Sequence, residues 1–232
     1  MCEANAANSM KRKNRDPEAV AADVDDDQLA KLIRSARPSV AIFDLDSTLW
    51  DGNVENYVAA HVVGDGEAVN TDGTQRPSLR LFKDVKAICT LFAEHRVPLA
   101  IASASPARTT AVRLLKSFGI HTSDQQVYPG SKDKHLKAIA STLSTPLARA
   151  IFFDDLPFNI KAAEACGIGA AVLVRGGLSK VDVKEALRKL RDRSAGAALM
   201  RSWMGAAAGT NKVAKQDHPS TEAPSAAQHD EK

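Results

Sequence analysis

The chain has 232 residues, a net charge of +3 and 25% charged residues, so bulk charge excludes few classes of protein. Its basic residues are scattered through the central region and form no stripe, so we expect no nucleic-acid binding. No apolar stretch approaches the ~20 residues that span a bilayer, so we expect no membrane partner. Three cysteines without a close pair favour a reducing compartment. We therefore expect a soluble monomer in the cytoplasm, while a basic run at residues 11–15 leaves the nucleus open.

Composition divides the chain into one central domain and two tails. Residues 1–37 combine an Asn/Ala stretch with a basic run and an acidic run, and residues 196–232 are rich in Ala, Gly, Ser, Pro and charge. Such segments bury too little apolar surface to offset the conformational entropy of the chain. We predict disordered tails at 1–37 and 196–232 around a folded domain at 38–195, which has a common domain size.

Short apolar runs alternate with stretches of helical periodicity between the two tails. In chain order we predict a strand over 40–43, a helix over about 79–95 and a strand over 97–102. A helix follows with Ser105 as its N-cap and Gly119 just past its end, then a strand over 126–128 and a helix with apolar residues from 136 to 143. The remaining predicted elements are a strand over 150–153, a helix from 157 to 167, a strand over 170–174 and a helix from a capping box at 179–182 through 190. Alternation of this kind predicts a mainly parallel sheet with helices on both faces. Residues 51–78 show no sustained helical face and are too short for a full helical lid.

Polar residues follow three of the predicted strands. Asp44 and Asp46 follow the first strand, Ser103 the second, and Asp154 and Asp155 the fourth. Because ligands of such sheets bind at the carboxyl ends of the strands, we expect these side chains to lie together. Four converging carboxylates repel one another unless a cation intervenes, and all-oxygen ligands favour Mg²⁺. The absence of His and Cys from these clusters disfavours zinc.

A lysine and two hydroxyl groups indicate the class of ligand that would bind beside this cation. Lys132 follows a Pro-Gly-Ser turn that opens a helix, and Ser103 and Thr48 supply hydroxyls. Together with a divalent cation these groups form a cradle for a phosphoryl group. An ionised Asp44 can attack phosphorus once the cation screens the repulsion between them. A second acid must protonate the departing oxygen and later activate water, and Asp46 suits that role.

These segments resemble the haloacid dehalogenase superfamily and, within it, the magnesium-dependent phosphatase 1 group. The resemblance rests on FDLDSTLW at 43–50, on Ser103, on YPGSK at 128–132 with His135, and on FFDD at 152–155 with Asn159, and it covers about residues 39–174. It implies a three-layer α/β/α Rossmann-like fold with a minimal or absent cap, and a phosphorylated substrate. An aspartate at position 46 is what the superfamily's phosphatases have, whereas its dehalogenases and transport ATPases lack it.

The resemblance also implies a role for each matching residue. Asp44 would be the nucleophile and a metal ligand, and Asp46 would be the acid/base whose backbone carbonyl binds the metal. Asp155 would be the direct acidic ligand of Mg²⁺, with Asp154 assisting. The expected phosphate-binding residues are Ser103, Thr48, Lys132 and Asn159.

One departure from the group bears on the substrate. The group usually has Arg-Thr after the serine at position 103, but this chain has Ala104 and Ser105, so a substrate-contacting arginine is missing. Arg108 is an alternative source of that charge. A phosphoprotein with phosphotyrosine, a sugar phosphate and a phosphorylated sugar-amine adduct all remain open as substrates, since members without a cap have open sites and often act on large substrates.

Two other functional classes share some of these residues. A catalytically silent module of the same fold would bind phosphate or a partner protein, but it would not need the acid at Asp46. A signalling receiver domain also uses an acidic pair, a hydroxyl and a lysine, but in the reverse chain order. Among single residues, Trp50 is predicted to pack over the site entrance or to contact substrate, and His135 to brace the helix that carries Lys132.

Overall fold

The computed structural model describes residues 24–71 and 77–210, and for residue 202 and residues 204–210 it describes the backbone alone. The chain divides into two compact units after Arg193. The elements discussed below lie in the first unit, except that the last helix continues beyond residue 193. Among the described residues, no helix is both long enough and apolar enough to cross a membrane.

Helices and strands alternate along the first unit, as the sequence predicts. The helices are α1 (Asp26–Ala36), α2 (Val85–Glu94), α3 (Arg108–Ser117), α4 (Lys132–Thr142), α5 (Pro157–Ala165) and α6 (Lys180–Thr210). The strands are β1 (Val40–Phe43), β2 (Ala60–Gly64), β3 (Glu67–Asn70), β4 (Leu79–Arg80), β5 (Leu99–Ser103), β6 (Asp124–Val127), β7 (Ala150–Asp154) and β8 (Ala170–Leu173). Two short 3₁₀ helices lie at Val54–Tyr57 and Leu147–Arg149.

Five strands form a parallel sheet in the order β6-β5-β1-β7-β8. In β1, Val40 and Ile42 join one hydrophobic cluster, while Ala41 and Phe43 join another, because successive side chains leave a strand on opposite faces. Helices α4 and α5 pack on the first face, and α1, α2, α3 and α6 on the second. These contacts confirm the predicted three-layer α/β/α architecture.

A small antiparallel sheet of β2, β3 and β4 is inserted in the chain between β1 and α2. It is attached to the main domain by Arg113 of α3, whose Nη2 donates to the carbonyl of Val58 at 2.9 Å. The guanidinium therefore joins α3 to the segment that leads into β2. This insertion agrees with the predicted minimal cap.

The largest differences between the structure and the prediction are at α1, α2 and α6. Helix α1 lies inside the predicted tail 1–37, and its buried Leu29 and Ile33 join the core. Helix α6 runs to Thr210, beyond both the predicted end at 190 and the start of the predicted tail at 196. Helix α2 begins at Val85, because residues 79–80 pair as a strand with β3. The tail residues 1–23 and 211–232 lie outside the described residues.

Several predicted helix ends are confirmed. Ser179 and Asp182 form a reciprocal capping box at α6, in which the Ser179 N–H donates to Asp182 Oδ2 at 2.9 Å and the Asp182 N–H donates to Ser179 Oγ at 3.4 Å. Gly119 and Gly167 follow α3 and α5 with φ of 75° and 78°, the left-handed conformation that favours glycine. Ser105 is not the N-cap of α3, which begins at Arg108.

Candidate active site

The carboxyl ends of β1, β5 and β7 open onto a cavity of about 460 Å³. Asp44 follows β1, Ser103 ends β5, and Asp154 ends β7, and the parallel pairing of these strands brings all three to one edge. The lining residues that carry polar side chains are Asp44, Asp46, Ser47, Asn53, Glu55, Ser103, Ser105, Ser131, Lys132, Asp155 and Asn159. The predicted convergence of the acidic strand ends is therefore confirmed.

Lys132 is the buried cation of this site. Its side chain is 3% exposed, and Nζ pairs with Asp44 Oδ1 and, at 3.2 Å, with Asp154 Oδ2. It also donates to the carbonyl of Ala102 at the end of β5. Because α4 begins at Lys132, the start of this helix delivers the ammonium to the strand ends. One lysine thereby links the ends of β1, β5 and β7.

Asp44 lies in a desolvated position beside this lysine. Burial raises the pKa of the Asp44 carboxyl to about 7, although the charge of Lys132 acts in the opposite direction. The neighbouring Asp154 raises it further. Asp44 is therefore a buried carboxylate whose negative charge is only partly compensated by the side chains around it.

Asp154 is completely buried below the cavity and does not line it. Its carboxylate accepts from the backbone N–H of Leu156 at 2.9 Å and from Asn159 Nδ2 at 2.9 and 3.1 Å. Asn159 thus holds Asp154, which in turn holds Lys132. Asp155 lines the cavity, and burial, followed by the charge of Asp154, raises its pKa.

Asp46 lies at the cavity wall with one of its two oxygens fully engaged. Oδ1 accepts from the indole Nε1 of Trp50 at 2.7 Å and from the backbone N–H of Val54 at 2.9 Å. Burial raises the pKa of Asp46, while these two hydrogen bonds act against the rise. A carboxyl with a raised pKa retains a proton more readily near neutral pH, as a general acid must.

Ser103 and Ser105 form the third side of the cavity. The Ser105 N–H donates to Ser103 Oγ at 3.3 Å, so this oxygen is oriented by the backbone that follows β5. Ser105 Oγ accepts from the Ala107 N–H at 3.1 Å and donates to Glu55 Oε1 at 3.5 Å. Glu55 comes from the 3₁₀ helix before the small sheet, and sequence patterns singled out neither it nor the nearby Asn53.

Besides Asp154, which was expected to assist at the metal, two further proposed residues do not line the cavity. Thr48 was expected to bind phosphate, but its side chain is completely buried and does not line the cavity. Arg108, the alternative to the missing arginine, is exposed, and its Nη1 donates to the carbonyl of Gln125 at 2.5 Å. It does not line the cavity either. Arg108 therefore does not replace the arginine that is missing at position 104.

Two aromatic residues have roles that the sequence predicted only in part. Trp50 is fully buried beside Phe118, so it neither packs over the entrance nor contacts substrate, but instead donates to Asp46. The spacing of four residues between Asp46 and Trp50 was the available signal. His135 braces α4 as predicted, since its Nε2 lies 2.9 Å from the carbonyl of Tyr128 and its ring packs on the tyrosine ring.

The donor set fits a hard divalent cation. The cavity lining includes four carboxylates, those of Asp44, Asp46, Glu55 and Asp155, against the single ammonium of Lys132. Among residues 24–71 and 77–210, no three His, Cys, Asp or Glu side chains are close enough to hold an ion by themselves. The expected ligands Asp44 and Asp155 both line the cavity, so they are the candidates to hold the cation, and a backbone carbonyl such as that of Asp46 would supplement them.

Comparisons with known proteins agree with this site. A sequence profile described as "Acid Phosphatase" matches residues 36–193. The chain belongs to this acid phosphatase family. It is also 29% identical to human magnesium-dependent phosphatase 1 over 154 residues, which make up 65% of this chain and 85% of the relative. The match to the human enzyme agrees with the predicted resemblance to the magnesium-dependent phosphatase 1 group.

Solved structures of similar proteins include a putative haloacid dehalogenase-like phosphatase from Mesorhizobium loti, with 13% identity, a TM-score of 0.47, and coverage of 67% of this chain and 87% of the other. Another is 3-deoxy-D-manno-octulosonate 8-phosphate phosphatase from Moraxella catarrhalis, with 16% identity, a TM-score of 0.44, and coverage of 75% and 98%. Both TM-scores lie below 0.5.

Proposed function

We propose that this member of the acid phosphatase family hydrolyses phosphate monoesters with Mg²⁺ as its cofactor, through a phosphoaspartate at Asp44. The main support is the position of the Lys132 ammonium. It is buried between Asp44 and Asp154 at the inner end of an open cavity lined by hydroxyl groups. This arrangement provides a carboxylate nucleophile beside a fixed positive charge, as phosphoryl transfer requires. The magnesium dependence in the human relative's name supports the choice of cation.

In the first half-reaction, a carboxylate oxygen of Asp44 attacks phosphorus, an O–P bond forms, and the ester O–P bond breaks. The positive charge of Lys132 stabilises the phosphoryl oxygens, the hydroxyl of Ser103 binds one of them, and Asp46 gives its proton to the departing alkoxide or phenoxide. Mg²⁺, held by Asp44 and Asp155, would reduce the repulsion between the phosphoryl oxygens and the carboxylates. The products of this step are the free alcohol and a phosphorylated Asp44.

In the second half-reaction, the deprotonated Asp46 takes a proton from a water molecule, which attacks phosphorus as its O–H bond breaks. The bond between phosphorus and the Asp44 oxygen breaks, and inorganic phosphate leaves. Asp46 is then protonated and Asp44 is ionised again, so the site returns to its starting state. Both half-reactions therefore depend on the orientation of one carboxyl, that of Asp46.

Phosphotyrosine in a protein is the first substrate candidate. Leu156 and Phe158 line the cavity and are 40% and 65% exposed, so they offer apolar surface to an aryl leaving group. The small sheet is too short to be a full lid, and an open site admits a large substrate. A sugar phosphate is the second candidate, supported by Asn53 and Glu55, whose polar groups can bind sugar hydroxyls.

The experiment measures turnover of p-nitrophenyl phosphate by the wild type, by Asp44→Asn and by the surface control Asp192→Asn, each with Mg²⁺ and with EDTA. We expect turnover only with Mg²⁺ and only in the wild type and the control. Acid quenching followed by mass spectrometry should locate the phosphoryl group on Asp44. Equal turnover by Asp44→Asn would refute the mechanism.

A wild type without turnover would favour the catalytically silent module. For an active enzyme, a panel of phosphotyrosine peptides, sugar phosphates and phosphorylated sugar-amine adducts then compares kcat/KM. A higher kcat/KM for sugar phosphates than for phosphotyrosine peptides would contradict the first substrate candidate.

A further inference from the structure

The indole of Trp50 is a buried hydrogen-bond donor that acts on Asp46 from the interior of the protein. Trp50 is fully buried, and its ring lies against Phe118 with the ring centroids 6.4 Å apart. Its Nε1 donates to Asp46 Oδ1 at 2.7 Å, at the short end of the N–H···O range. The tryptophan therefore reaches the site only through this carboxyl.

The backbone holds Trp50 in place on both sides. The chain forms isolated β-bridges between Asp46 and Trp50 and between Trp50 and Leu81. Next to them, the Asp51 N–H donates to the carbonyl of Arg80 at 2.9 Å. These backbone contacts fix Trp50 against the end of the small sheet, so the direction of its indole N–H does not depend on a bound substrate.

Two donors occupy the same oxygen of Asp46. Besides the indole of Trp50, the Val54 N–H donates to Oδ1 at 2.9 Å. A carboxylate oxygen has two acceptor positions, so two donors leave no room for a proton on Oδ1. Within residues 24–71 and 77–210, the other oxygen, Oδ2, has no hydrogen-bond partner. The two oxygens of Asp46 are therefore not equivalent.

We propose that Trp50 is a positioning residue that, together with the Val54 N–H, commits Oδ1 of Asp46 to the protein and leaves Oδ2 as the atom that gives and takes the proton. This inference rests on the proposed phosphatase mechanism. In the first half-reaction, the proton moves from Oδ2 to the leaving oxygen as the ester O–P bond breaks. In the second, a proton of the attacking water moves to Oδ2.

The test uses Trp50→Phe, which keeps an aromatic ring but removes the N–H donor. The control Phe118→Leu disturbs the packing around Trp50 and keeps the donor. Each full-length variant is assayed with phenyl phosphate and with p-nitrophenyl phosphate. Phenol has a pKa of ~10, like tyrosine, so the departing phenolate needs a proton. The p-nitrophenolate ion is a weaker base and needs less help.

For Trp50→Phe we expect kcat/KM with phenyl phosphate to fall by about 10- to 100-fold, a part of the 10²- to 10⁴-fold that a general acid supplies, and with p-nitrophenyl phosphate by less than about 3-fold. Since the second half-reaction also uses Oδ2, p-nitrophenol should appear in a burst of one equivalent followed by slow turnover. A purely structural role would lower kcat/KM for both substrates by the same factor without a burst, as we expect for Phe118→Leu.

A second measurement does not depend on the folding of Trp50→Phe. The chain contains two tryptophans, and Trp203 is 70% exposed, so the indole N–H resonance of Trp203 is an internal reference. Replacing the acceptor in Asp46→Ala should shift the Trp50 indole resonance and leave that of Trp203 unchanged. An unchanged Trp50 resonance would overturn the hydrogen bond and the inference with it.

The outcomes separate this inference from the proposed function. A wild type inactive on both substrates would overturn the phosphatase and the proton-transfer role together. An active wild type, an inactive Asp44→Asn and a Trp50→Phe that equals the wild type on both substrates would overturn the role of Trp50 alone.

Discussion

Replacing Lys132 by methionine is expected to reduce the stability of the folded protein far more than the loss of a surface lysine. Methionine fills much of the same space but carries no charge. In the wild type, Nζ pairs with Asp44 and Asp154, and the side chain is 3% exposed. Lys132→Met therefore leaves two buried carboxylates and the carbonyl of Ala102 without their shared donor.

The magnitude follows from the burial of this group. Removing one partner of a buried ion pair typically costs about 3–5 kcal/mol, because the remaining charge stays desolvated. For a chain of this size, each kcal/mol lowers Tm by roughly 2–4 °C, so we expect a decrease of about 6–20 °C. The control is Lys137→Met on the same helix, where the lysine is 64% exposed and pairs with Asp133 at i,i+4. Such an exposed pair contributes little to stability, because water and salt screen it.

The assay is urea denaturation of the wild type and both variants in EDTA, since a bound cation would take over part of the charge compensation. The double variant Lys132→Met with Asp44→Asn should recover about 1 kcal/mol or more of the free energy of unfolding, because it removes one uncompensated carboxylate. If Lys132→Met proves no more destabilising than Lys137→Met, the ammonium does not hold the strand ends together, and our account of the site is refuted.

Three further predictions follow from particular contacts. Gly169→Ala places a β-carbon 2.6 Å from the carbonyl oxygen of Ala148, so it should lower the free energy of unfolding in urea by at least about 1–3 kcal/mol. Gly196→Ala, in an exposed helical position with open space around it, should raise the free energy of unfolding by about 0.5–1 kcal/mol. Equal effects would contradict the packing argument. Burial raises the pKa of Cys89 from 9.0 to about 12, so the stability that this neutral thiol contributes is present below pH 9 and is lost as the pH rises toward 12. The stability difference between wild type and Cys89→Ala should shrink over that range, and a constant difference would count against this assignment. Asn159→Asp places a carboxylate where the amide donates to Asp154, so we expect lower stability and lower phosphatase turnover, while Asn159→Gln, which keeps a donor, should lose less. Similar losses for both variants would point to side-chain length as the cause.

Local patterns in the sequence were sufficient for the main sheet. Apolar runs ending in Asp44, Ser103 and Asp154 predicted three neighbouring strand ends, because alternation of strands and helices restricts the sheet to parallel pairing. The same patterns failed at α1 and β4. Leu29 and Ile33 were assigned to a tail, since one short apolar face among acidic residues carries no information about the core it will pack on.

The sequence by itself therefore determined the β-α alternation, the carboxyl ends that meet, and the family resemblance. Only the tertiary structure decided which polar groups reach the cavity. Lys132 contacts Asp44, which lies 88 positions earlier in the chain. The buried indole of Trp50 donates to Asp46, and the side chain of Thr48 is buried away from the cavity. The physical reason is that periodicity records which face of an element is apolar, whereas a hydrogen bond depends on the positions of individual atoms after all the elements have packed.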